Sequence, residues 1–67
     1  MTVFFTVQQI QSSEGVRWHG YGKRDDTNET YIEEIFTSRH DAIIQCVMWM
    51  IELRKSGQAC EWAYTNE

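Results

Sequence analysis

The sequence predicts an α+β domain with element order β-β-β-α-β. Its four-stranded, mainly antiparallel sheet carries one helix packed on one face. Three observations lead there. Two β-branched and aromatic runs, VFFTVQQIQ (3–11) and VRWHGYGK (16–23), flank a short turn containing glycine. A later run, DAIIQCVMWMIEL (41–53), is apolar at helical spacing and too long for a strand. Shorter strand-like runs, YIEEIF (31–36) and ACEWAY (59–64), stand on either side of it.

In the first strand, Val3, Phe5 and Val7 share one face, and Phe4, Thr6 and Gln8 the other. Ser12-Ser13-Glu14-Gly15 supplies a tight turn, with glycine available for a positive φ. On the return strand Val16 and Trp18 point one way, and Arg17, His19, Tyr21 and Lys23 the other. Gly20 and Gly22 weaken this strand and suggest a bulge or bend. Residues 24–29 form a polar loop. In the third strand Ile32 and Phe36 are in phase while Tyr31 and Ile35 claim the opposite face, so the Glu33-Glu34 step is a candidate bulge. Ser38 is the expected N-cap, and Asp41 completes an acidic variant of the capping box. Arg54 and Lys55 suit the negative helix C-terminus, and Gly57 the left-handed stop beyond it. The last strand places Cys60, Trp62 and Tyr64 on one face, pairing beside the three-stranded meander.

The helix carries more apolar surface than a small domain needs. At about 100° per residue, Ile43, Ile44, Cys46, Val47, Met50, Ile51 and Leu53 fill one continuous arc, the expected core face. Arg54 lies at its centre but in the last turn, where its head can reach water. Met48 and Trp49 then fall among Asp41, Gln45, Glu52 and Lys55, on the outward side. Either Trp49 lies flat on the surface, or Met48 and Trp49 belong to an interface. Tryptophan and methionine both suit such a role.

Sixty-seven residues make one domain, spanning 1–67, and a chain this short is marginal alone. A homodimer is the expected state, because the chain is short and the helix and sheet both present uncovered apolar surface; the open sheet edges offer another route to it. No basic n-region or long apolar segment follows Met1, so the expected setting is cytoplasmic, with Cys46 and Cys60 reduced and no membrane span. The net charge of −4 disfavours non-specific nucleic-acid binding.

Little points to catalysis or a cofactor. His19, His40, Cys46 and Cys60 are the soft ligands, and no pair has zinc-site spacing. No elbow or glycine loop positions a nucleophile, and Gly20-Tyr21-Gly22 lacks the helix and Lys-Ser/Thr of a phosphate loop. The acids between Asp25 and Glu34 lack the ligand ladder of a calcium loop. They read as a solvated loop or as a patch for a basic partner. Asn28-Glu29-Thr30 matches a glycosylation acceptor, a coincidence in a cytoplasmic chain.

The expected function is therefore non-enzymatic: a small acidic protein that binds and modulates, by inhibition, an unidentified protein target. Trp49 and Met48 are the first candidate contacts, with Tyr21, Asp25, Asp26 and Glu29 second. The alternative is a nucleic-acid-binding regulator using Arg17, His19, Tyr21, Lys23 and Arg24, where bases would stack on an aromatic and cations meet phosphates. By layout the chain resembles two groups. One is the small phage-encoded proteins that inhibit host enzymes. The other is the HicB-type antitoxins, whose partial RNase H-like fold also runs strands, helix, strand. The first resemblance implies an inhibitor carried by a mobile element, the second an antitoxin-like regulator. No residue transfers from either, and no strand presents the carboxylates of two-metal cleavage.

Overall fold

The computed structural model describes residues 1–63. The elements follow as β1 (Thr2–Ser12), β2 (Gly15–Arg24), β3 (Thr30–Phe36), α1 (Arg39–Lys55) and β4 (Ala59–Trp62). They form one sheet of order β3-β2-β1-β4 with α1 across one face. The first three strands are antiparallel, while β4 runs parallel to β1, from Thr2 opposite Ala59 to Phe5 opposite Trp62. The α+β order is as expected, and the sheet is mixed because α1 returns the chain in the direction of β1. Cys60 and Trp62 share the helix-facing side, and the expected third member, Tyr64, lies outside the described residues.

The hairpin closes where Ser12 pairs with Gly15, which sits at φ +116°. The Ser12 hydroxyl donates to the Gly15 carbonyl at 2.8 Å and accepts from the Glu14 amide at 3.2 Å, so the turn is tied on both sides. The irregularity in the β2–β3 ladder is not at Glu33-Glu34. Gly22 pairs with Ile32 but Lys23 with Thr30, so Tyr31 is the extra residue. From Ile32 to Phe36 the register is regular and the faces simply alternate: Ile32 and Phe36 are half-buried toward the helix, while Ile35, like Tyr31 at the bulge, is exposed.

At the start of α1, the Ser38 hydroxyl accepts from the Asp41 amide at 3.0 Å. At its end, Gly57 at φ +89° lets its own amide and that of Gln58 bond back to Arg54 and Leu53. The buried core is Val3, Phe5, Ala42, Cys46, Met50 and Cys60, ringed by Val7, Ile32, Trp49, Leu53 and Trp62.

The helix is rotated relative to the expected core arc. Ala42, Cys46 and Met50 are its buried residues, with Trp49 and Leu53 packed beside them. Ile44, Val47 and Ile51, expected inside, are exposed. The cause lies in β2. A Cβ at Gly20 would come 3.1 Å from the Cys46 sulfur and 3.5 Å from the Ala42 carbonyl, so α1 lies directly on the strand at Gly20. Only small helix residues permit that approach, and they set the rotation. At Gly22 the trough is filled from the sheet itself, since a Cβ there would stand 2.8 Å from both Val3 and the Phe5 ring.

Candidate functional site

The rotation of α1 creates the most distinctive surface of the molecule. Ile44, Val47, Met48 and Ile51 are 45%, 39%, 54% and 47% exposed. Their spacing of i, i+3, i+4 and i+7 makes them one stripe along the helix, turned away from the sheet. Contiguous apolar patches of this kind on small domains mark interaction sites, whereas scattered apolar residues do not. Met48 therefore stands where the sequence places it, on the outward side. Its sequence neighbour does not. Trp49 is half-buried, packs against the core, and holds its ring 6.2 Å from that of Phe5. This corrects its expected outward position: one residue along a helix turns a side chain by about 100°, which carries Trp49 back to the sheet side. Ile44, Val47 and Ile51 are the surface residues that sequence reasoning assigned to the core. The signal for the true orientation was the small pair Ala42 and Cys46, one turn apart, facing a strand with two glycines.

The loop acids are partly committed to the fold. The Asp25 carboxylate accepts from the Thr2 amide at 3.0 Å, and the Asp25 amide donates to the Thr2 carbonyl at 3.0 Å, latching the loop to β1. Asp26 accepts two bonds from Arg24, from Nε at 3.1 Å and Nη2 at 3.0 Å. Those hydrogen bonds hold the Asp26 carboxyl below its ordinary pKa and raise that of Arg24. Asn28 adopts φ +59°, a left-handed position that asparagine tolerates, and Glu29 is exposed beyond it.

The basic face of β2 is brought together as expected, with acids of the same chain set against it. His19 lies 2.8 Å from the Glu33 carboxylate, and Arg17 lies 3.4 Å from Glu14. With Arg24 bound to Asp26, three of the five nucleic-acid candidates face an acid of their own chain. Tyr21 and Lys23 remain on this open sheet face. The Tyr21 ring stacks 4.5 Å from His19, its hydroxyl donates to Gln8 at 3.4 Å, and Lys23 Nζ sits 5.9 Å above it.

Among the described residues, no three His, Cys, Asp or Glu side chains gather into a metal-binding group. Cys46 and Cys60 are buried free thiols. Burial pushes the Cys46 pKa up to about 11, opposite to what a nucleophile needs. No described helix is long and apolar enough to cross a membrane. No family model, curated protein or solved structure matches the chain.

Proposed function

We propose that this chain is a small non-enzymatic interaction protein that associates with itself and binds and modulates a protein target by occluding its surface. The observation that carries the reading is the outward stripe of Ile44, Val47, Met48 and Ile51, on a helix whose opposite face already builds the core. A helix with apolar residues on two opposite faces is ordinarily covered on both. A cytoplasmic setting suits the two buried thiols. The acids around Glu29 and Glu33 would steer a basic partner toward the molecule without supplying much affinity.

The nucleic-acid reading is weaker, since Arg17, His19 and Arg24 each meet an acid before they could meet a phosphate. The test is affinity capture from nuclease-treated bacterial lysate with the tagged wild type, Met48→Glu, and a double reversal of Arg17 and Lys23. A stoichiometric protein lost with Met48→Glu and kept with the double reversal is the expected result. Retention of every captured protein by Met48→Glu, or recovery of nucleic acid alone from untreated lysate, would overturn the reading.

A further inference from the structure

The outer side of α1 carries more than an apolar stripe. Asp41, Ile44, Met48, Ile51 and Lys55 recur at alternating steps of three and four, the a/d seam of a two-helix coiled coil, with Val47 beside it. The seam is apolar in the middle, acidic at its N-terminal end and basic at its C-terminal end. Asp41 and Lys55 are both exposed. Among the described residues Lys55 has one neighbour of opposite charge, Glu52 at 3.6 Å, with both side chains more than two-thirds in water, an arrangement that exchanges easily.

This pattern is complementary to itself in one orientation only. Laid parallel, two copies would oppose Asp41 to Asp41 and Lys55 to Lys55, placing like charges at both ends. Laid antiparallel, each Asp41 meets the partner's Lys55, the aliphatic centres interlock, and the helix dipoles oppose. Resting on the interaction reading above, we propose that the stripe of α1 packs antiparallel on the same stripe of a second copy, about a two-fold axis beside Met48. The result is a four-layer particle, sheet-helix-helix-sheet. An isologous contact of this kind closes on itself and gives a dimer rather than a fibre. The target would compete with the second copy for this stripe, so that Met48→Glu removes both contacts.

The experiment is sedimentation equilibrium on wild type, Asp41→Lys, Lys55→Asp, the double exchange Asp41→Lys/Lys55→Asp, and Met48→Glu. The wild type should dimerise. Each single reversal disturbs two symmetry-related pairs and should weaken the dimer by about tenfold. The double exchange rebuilds both pairs and should restore affinity to within about threefold of wild type. Met48→Glu should be monomeric. Far-UV circular dichroism verifies folding, and Met48→Glu decides the matter if a reversal at either helix end unfolds the chain. A wild type that is monomeric at about 1 mM overturns the proposal. So does a dimer unchanged by Met48→Glu, or a double exchange as weak as the single reversals. A monomeric wild type that still loses a captured target on Met48→Glu overturns only the pairing and leaves the protein-binding reading standing.

Discussion

Adjacent residues on α1 should respond oppositely to substitution. Trp49 packs on the core with its ring 6.2 Å from Phe5, while Met48 is 54% exposed on the far side. Truncating a fully buried tryptophan costs about 3–5 kcal/mol. Trp49 is half-buried, which reduces that cost, and loses an aromatic neighbour, which adds to it. The expected loss for Trp49→Ala is about 2–3 kcal/mol. A domain of this size has roughly 3–10 kcal/mol in total and loses about 4–8 °C in Tm per kcal/mol, so the melting temperature should fall by roughly 10–20 °C. Met48→Glu exchanges one good helix former for another on a wet surface and should stay within about 0.5 kcal/mol. The assay is urea and thermal unfolding followed by far-UV circular dichroism, since removing Trp49 alters the fluorescence itself. Protein must be dilute, because a self-associating fold gains stability with concentration. Equal stability of wild type and Trp49→Ala, or a loss above about 1 kcal/mol for dilute Met48→Glu, would refute the orientation of α1.

Three further outcomes test the packing. Gly22→Ala places a methyl 2.8 Å from Val3 and the Phe5 ring, and should cost about 1–3 kcal/mol in urea unfolding. Ser38→Ala removes the acceptor for the Asp41 amide and should cost about 1 kcal/mol, read as lower helicity and an earlier urea midpoint. Burial raises the folded pKa of Cys46 from 9.0 to about 11, so between these values the unfolded state releases the proton while the folded state keeps it. Stability contributed by this thiol is thus complete below about pH 9 and falls as pH rises toward 11. The urea midpoint of wild type should drop more steeply over that window than that of Cys46→Ala, and folded Cys46 should resist alkylation at neutral pH.

The element order was legible because its signals are local. Ser12 to Gly15 closes the hairpin, Ser38 opens the helix and Gly57 ends it, as their chemistry predicts. The helix rotation was not legible from periodicity. Apolar residues lie on two opposite faces of α1, and counting aliphatic area favours the face with Ile44, Val47 and Ile51. The fold instead selects the face with the smallest side chains, because closeness to Gly20 outweighs aliphatic bulk. The same rotation explains why Met48 reads correctly as surface and Trp49 does not. The bulge at Tyr31 was misplaced for a related reason: Glu33-Glu34 marks where polarity breaks the alternation, whereas the ladder slips beside Gly22, where the backbone is least constrained. The basic strand is legible, yet the contacts of Arg17, His19 and Arg24 with Glu14, Glu33 and Asp26 depend on cross-strand and loop geometry that spacing does not reveal.

The parallel pairing of β1 with β4 has a consequence for how the molecule assembles. β1 is an interior strand whose two neighbours arrive at very different distances along the chain. β2 follows across a tight turn, while Thr2 meets Ala59 and Gln58 reaches the Met1 carbonyl at 2.8 Å only after the rest of the chain has been traversed. Closing that long loop is entropically slower than closing the hairpin. The meander can therefore form early, with one flank of β1 unpaired beside Val3 and Phe5 until β4 docks. During that interval the flank of β1 is the natural template for another strand, and the speed of β4 docking sets how long the nascent fold is open to capture by a neighbouring chain.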